Sequence, residues 1–230
     1  MKKSVVGAAA LCAALLSSAP AFAGIIVGSF DGGNCYPFLC NDSGTNSGTT
    51  IDFQQAYSAS AFPGAITIEN ITFYFGNFFG GSSNVVNGNY DLYLSYAANG
   101  VGSLSSTLAN NVSGAQSLFA SMTGGGDMNP SYMISGTPFF YDPSNGDLLL
   151  EVVASNQDVI PSGGSNDYDV ADYTGSETSR AYCVTNAGCN GDDAGALVTG
   201  FNAVPEPSTL ALLGAGLAGF GAFRRRKAKS

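Results

Sequence analysis

Tyr90-Asp91-Leu92-Tyr93-Leu94-Ser95-Tyr96 places apolar or aromatic residues at every even position and a mixed set at the odd ones. A period of two puts Tyr90, Leu92, Leu94 and Tyr96 on one face of a β-strand, so the stretch turns one face to a core. Working outward, short apolar or alternating runs of the same kind recur between clusters of Gly, Asn, Ser and Asp, at 25–30, 50–57, 65–75, 115–121, 132–135, 137–141, 147–154, 168–173, 179–184 and 197–203. Helical spacing of apolar residues is scarce throughout, and there is no convincing internal repeat. The pattern predicts an all-β fold, a single domain built as a two-sheet β-sandwich of jelly-roll type. Two details refine it. Between 65 and 75 the apolar phase runs Ile66, Ile68 and then switches to Ile71, Phe73, Phe75, which places a β-bulge at Glu69-Asn70. Asp142-Pro143-Ser144-Asn145-Gly146-Asp147 has the chemistry of a tight turn, and a hairpin is expected there.

The two ends of the chain differ from this middle. At the C-terminus Val204-Pro205-Glu206-Pro207 precedes a 16-residue apolar run, Ser208 to Phe223, which is followed by Arg224-Arg225-Arg226-Lys227. As a helix that run is about 24 Å long against a bilayer core of about 30 Å, so it spans only a thinned membrane. The basic cluster would keep its end in the cytoplasm and leave everything upstream outside. The literal Val-Pro-Glu-Pro, the short span rich in Gly and Ala, and the basic stop closely resemble the PEP-CTERM sorting segment, also labelled the ice-binding protein C-terminal segment. The resemblance covers residues 204 to about 227. It implies recognition by an exosortase, a membrane transpeptidase of Gram-negative bacteria that cuts near the motif and passes the protein to the outer surface or exopolysaccharide.

The N-terminus points the same way. Lys2-Lys3, the apolar stretch Val5 to Leu16 and Ala21-Phe22-Ala23 form a signal peptide, with signal peptidase leaving Gly24 as the first residue. Cys12 follows Leu11 inside the apolar stretch, the wrong context for lipid attachment. The expected division is therefore a signal peptide at 1–23, a β-sandwich at 24–203 and a sorting segment at 204–230, with its motif at 204–207, transmembrane helix at 208–223 and basic stop at 224–229. Within the domain, Asn34-Cys35-Tyr36-Pro37-Phe38, Phe53-Gln54-Gln55-Ala56-Tyr57 and Pro138-Phe139-Phe140-Tyr141-Asp142-Pro143 with Leu148-Leu149-Leu150-Glu151-Val152 resemble stretches of exported bacterial β-sandwich proteins carrying this tail. That resemblance implies a fold and no activity.

Charge is distributed very unevenly. Seven of the eight basic residues sit in the two ends, so residues 24–203 keep Arg180 alone against 16 of the 17 acids, a net charge of −15. Such a surface repels phosphate backbones, which excludes nucleic-acid binding through a basic patch. The chain has no His and no Trp. Ser-His-Asp and Cys-His nucleophiles and His-containing zinc sites are therefore excluded, and the enzyme menu shrinks to carboxylates. A glycosidase needs two carboxyl groups about 5–5.5 Å apart for retention or about 6.5–9.5 Å for inversion. Asp147 and Glu151 share a strand face but lie about 13 Å apart at ~3.3 Å per residue, which fits neither.

Four cysteines remain after signal removal: Cys35, Cys40, Cys183 and Cys189. An even count in an exported chain reads as two disulfides; spacing favours Cys35 with Cys40 and Cys183 with Cys189 among the three connectivities. Metal ligation is a weaker expectation: Asp167, Asp169 and Asp172, or Asp192 and Asp193, offer oxygen ligands for Ca²⁺ without matching an EF-hand or an RTX repeat. Thr49, Thr50, Thr67 and Thr72 form no regular ladder of the kind ice binding needs. No cofactor and no catalytic residue is assigned. The reading is a non-catalytic, exosortase-processed surface or extracellular-matrix protein, associated with exopolysaccharide and only transiently held in the inner membrane. The alternative is a carbohydrate-binding sandwich or a glycosidase using cross-strand carboxylates. Facing carboxylates in a cleft would favour the enzyme, and an aromatic strip on one sheet face the binding module.

Overall fold

The computed structural model describes residues 24–30, 32–39, 49–76, 83–158, 169–172, 177–185, 187–193 and 195–205. Its strands are β1 (Ile25–Val27), β2 (Gly32–Asn34), β3 (Thr49–Tyr57), β4 (Ile66–Tyr74), β5 (Asn89–Ala97), β6 (Val112–Thr123), β7 (Ser131–Tyr141), β8 (Leu148–Gln157), β9 (Asp169–Asp172), β10 (Thr178–Val184), β11 (Gly188–Asp193), β12 (Ala196–Leu197) and β13 (Thr199–Pro205). A four-stranded sheet runs β1-β13-β4-β7 and a six-stranded sheet β11-β10-β3-β8-β5-β6. The short strands β12-β9-β2 form a third, small sheet. All the pairings are antiparallel. Among the described residues no helix is long and apolar enough to cross a membrane. Positions 1–23 and 206–230, which hold the expected signal peptide and transmembrane run, lie outside the described residues.

The two large sheets pack face to face because each carries one apolar face. On β5, Tyr90, Leu92 and Leu94 are fully buried, as the alternation of that strand requires. On β4, Ile66 and Ile68, then Ile71 and Phe73, are buried, and the register to β7 shifts between Ile68 and Asn70. That is the expected bulge at Glu69. Aromatic rings stitch the layers together: Tyr57 of β3 meets Phe201 of β13 edge-on at 4.9 Å, and Phe62 meets Tyr141 at 4.8 Å. The Tyr57 hydroxyl shares a 2.8 Å hydrogen bond with Thr199 Oγ1, so this ring is anchored at its polar end as well. Beside it, Gln55 Nε2 donates to the Leu197 carbonyl and Gln55 Oε1 accepts from the Leu197 N–H, each at 2.7 Å. A buried amide here takes the place of a neighbouring strand.

Strand β8 is buried on both faces from Leu148 to Val152 because it is covered on both. Leu148, Leu150 and Val152 join the main core, while Leu149 packs with Ala56, Ala181, Leu104 and Leu108 in a second, smaller cluster on the outer side of the six-stranded sheet. The segment after β5 lies over this part of the sheet. Asp147 fixes it there: its Oδ1 accepts from the Ala59 N–H at 2.8 Å and its Oδ2 from the Val101 N–H at 3.0 Å.

Several expectations need correction. The runs 132–135 and 137–141 are one strand, β7, which continues across Gly136 and sets residues 136–138 opposite the single residue Glu69 of β4. The expected hairpin at Asp142–Asp147 does not form. Its turn chemistry is as read, with Asp142 Oδ1 accepting from the Ser144 N–H and Gly146 at φ 123°, but β7 pairs with β4 while β8 pairs with β3 and β5. The turn is a corner between sheets, held by Tyr141 donating to the Gly146 carbonyl. Strand β1 stops at Val27, where Gly28 takes φ 101°. The short strands β2, β11 and β12 carry no sequence signal of their own. Of the expected disulfides, Cys183 and Cys189 face each other across the β10·β11 register and are bonded. Cys35 is also held in a disulfide, and Cys40 lies outside the described residues.

At Gly136 an added Cβ would sit 2.4 Å from the Phe119 carbonyl oxygen, because β7 passes close over β6 there. Gly136→Ala is expected to destabilise the mature chain by about 1–3 kcal/mol in a urea titration, since backbone has to move. An unchanged midpoint would contradict the close approach of the two strands.

Candidate functional site

The sorting segment begins inside the sandwich. Strand β13 lies between β1 and β4, and its pairing with β4 runs from Thr199↔Phe73 through Phe201↔Ile71 to Val204↔Thr67 and Pro205↔Ile66. The register shifts between Asn202 and Ala203, so the last three pairs form a separate step of the ladder. On the other side β1 covers only Thr199 to Phe201, through Val27, Ile26 and Ile25. Gly24, exposed, directly precedes Ile25. The expected new N-terminus and the start of the sorting motif therefore emerge on neighbouring strands at one end of one sheet. Glu206, Pro207, Arg224, Arg225 and Arg226, with Ala21 and Ala23, lie outside the described residues.

The outer face of the six-stranded sheet carries the second candidate, an acid pair that sequence reasoning did not join. In the register, Gln54 of β3 faces Glu151 of β8, and Asp52 faces Val153 one step along the same face. Glu151 is 8 % exposed, and both its oxygens are occupied: Oε1 accepts from Gln54 Nε2 and Oε2 from Gln116 Nε2, each at 2.5 Å. Gln54 is held in turn by Asn111 Nδ2, 2.9 Å from its Oε1. Amide donors thus satisfy a buried carboxylate in a domain that has a single cation. That cation, Arg180, lies over the Tyr182 ring at 5.0 Å. Asp52 is half-buried, and its Oδ1 is enclosed without a partner. Burial first, then the charge of Glu151 and a hydrogen bond with it, push the Asp52 carboxyl up to about 7.

Further along this face, Ser121 donates to Asp91 Oδ1 at 2.6 Å beside an open depression of about 780 Å³ lined by Asn89, Asp91, Ser121, Met122, Thr123 and Ser155. Among the described residues the aromatic side chains do not make a platform. Tyr57, Tyr90 and Tyr141 are in the core. On the four-stranded sheet, Tyr74 pairs with Ser131 at one end and Phe140 with Thr67 at the other, about 23 Å apart at ~3.3 Å per residue. Thr67 and Thr72 lie on β4, whereas Thr49 is on β3, so these threonines share no sheet.

The two calcium candidates lie on different sheets. Asp169 and Asp172 end β9 in the small sheet, while Asp192 and Asp193 belong to β11 at the edge of the six-stranded one; Asp167 lies outside the described residues. Among the described residues no three acidic or cysteine side chains group as metal ligands. Asp147, considered at first as an acid partner of Glu151, is instead occupied by the two backbone N–H groups it clamps.

Comparison with known proteins matches residues 203–227 to the PEP-CTERM protein-sorting motif. No curated protein matches the chain significantly, nor does any solved structure. The chain thus carries a PEP-CTERM sorting motif, the mark of an exported protein targeted to an exosortase and sorted to the cell surface.

The acid pair has a measurable consequence. Unfolded, Asp52 returns to its ordinary 3.8, so between 3.8 and about 7 the folded chain holds a proton that the unfolded chain has released. Its contribution to stability is therefore lost as pH rises through that window and stays lost above it. Asp52→Asn is expected to be more stable than the parent at pH 8 by about 1–2 kcal/mol, with the difference shrinking towards pH 4, because a half-buried group is partly screened. Parallel urea midpoints for the two chains from pH 4 to 8 would refute the proton-sharing pair.

Proposed function

We propose that residues 24–203 are the passenger of an exosortase-processed chain: a non-catalytic domain delivered to the cell surface or extracellular matrix, where it occupies or binds the exopolysaccharide layer. The observation that carries this reading is the match at residues 203–227, in a chain whose other end reads as a signal peptide. In this reading Ser208 to Phe223 holds the chain in the inner membrane until the exosortase cuts near Val204 to Pro207, after signal peptidase has freed Gly24. A 16-residue span is a weak anchor, which suits a temporary one. The net charge of −15 supports release into a hydrated, extended layer, because such a domain repels its own copies and anionic lipid. The buried acid pair supports a structural role, because both oxygens of Glu151 are taken up by amide side chains inside the fold.

A second reading rests on the polar depression beside Asp91, whose hydroxyl, amide and carboxylate groups suit a sugar. It makes the domain a carbohydrate-binding module, and binding on a glycan array that Asp91→Ala abolishes would support it.

Intact-mass analysis of the protein from its native host tests the main reading. The expected mass is that of a chain beginning at Gly24 and ending near the motif, and it reverts to a C-terminus at Ser230 when the exosortase is removed. Recovery of Ser230 in the wild-type host would make the tail an ordinary anchor.

A further inference from the structure

The pairing of β13 has a bearing on how the motif is reached. If Val204 and Pro205 stay in the sheet, only Glu206 and Pro207 separate the folded domain from the apolar run that begins at Ser208. Two fully extended residues reach about 7 Å. A single helix is about 10 Å across with its side chains, so no folded part of an enzyme fits between domain and bilayer. Freeing 203–205 adds three residues and about 10 Å, which opens a gap of about 17 Å.

The ladder is built so that these three residues can leave together. The register shift between Asn202 and Ala203 separates the pairs Ala203↔Ile68, Val204↔Thr67 and Pro205↔Ile66 from the four that precede them. Strand β1 ends its pairing at Phe201, so among the described residues β13 is held beyond that point from the β4 side alone. Pro205 has no N–H and adds no donor to the ladder. Upstream, Thr199 and Phe201 are fully buried and fastened to Tyr57. Fraying is thus confined to the tip, as local opening of a strand end with few partners.

We propose that the folded domain regulates its own processing: residues 203–205, paired with β4, hold the start of the sorting motif in the four-stranded sheet, and the exosortase acts only on chains in which this tip of β13 has peeled away. The inference rests on the sorting reading and adds to it that processing is limited by a local opening of the substrate. The domain is released in folded form, with β13 intact up to Asn202.

The test follows loss of the tail by pulse-chase in the native host for the full-length chain. One variant carries Gly-Ser-Gly-Ser-Gly-Ser between Ala203 and Val204, which moves the whole motif up to about 20 Å from the sheet. A second carries Thr67→Cys and Val204→Cys, which face each other in the register and staple the tip when oxidised. The expected result is tail loss severalfold faster with the insertion and severalfold slower with the staple, restored by added thiol. Equal rates for the parent and both variants, with the staple verified by mass and processing still abolished by Glu206→Ala with Pro207→Ala, would overturn the regulation and leave the sorting reading intact. Retention of Ser230 by the parent chain would overturn both.

Discussion

The contact on which most of this structure depends is the one between Tyr57 and the last strand. The Tyr57 ring meets Phe201 edge-on, and its hydroxyl bonds Thr199, so β13 is fastened across the core to the six-stranded sheet. Burial pushes the Tyr57 hydroxyl well above the ordinary tyrosine range, which keeps it neutral and able to share that hydrogen bond at any physiological pH. Once β13 is in place it serves two neighbours, since among the described residues β1 pairs with β13 and with no other strand and β4 pairs with it over seven positions. Removal of β13 would leave β1 without a ladder and the four-stranded sheet split.

This arrangement joins the first and the last of the described strands. The first strand after Gly24 waits for the last strand before the motif, a pairing of very high sequence separation and therefore late in folding. An exported chain can complete the four-stranded sheet only after residue 205 has crossed the membrane, at which stage Val204 and Pro205, where the sorting motif begins, join β4. Completion of the fold and presentation of the motif thus fall at the same moment and use the same strand. The charge distribution sets the ends apart from the domain: seven of the eight basic residues lie in residues 1–23 and 204–230, and residues 24–203 keep Arg180 alone.

How much of this was legible beforehand depended on whether the signal was local. The phase of Tyr90 to Tyr96 and the phase switch at Glu69 were readable because alternation against a core is written into neighbouring residues. Strands β2 and β11 were not, because Gly32-Gly33-Asn34 and Gly188 to Asp193 have little β propensity and exist by pairing with β9 and β10. The Asp142 turn was read correctly in chemistry and wrongly in topology, since turn residues fix a local path and not which sheet the next strand joins. The acid pair was invisible for the same reason: Gln54 and Glu151 are 97 positions apart, and Asp52 meets Glu151 through the register alone. The trace it left was a polar pair, Gln54-Gln55, between the apolar residues Phe53 and Ala56-Tyr57, and both amides turn out to be fully buried and bonded. The sorting motif, by contrast, was read from its four residues and their order, while its anchorage in β13 had no local sign.

The central claim is that the sorting segment is continuous with a core strand and is not hung from a flexible linker. Residue-resolved hydrogen exchange on the unprocessed chain measures this directly. Strong protection is expected from Thr199 to Phe201, comparable with β3 and β8, falling to intermediate protection at Ala203 and Val204, where β4 is the sole partner. Exchange at the rate of an unstructured peptide from Asn202 onward, in a chain whose core amides remain protected, would contradict the account.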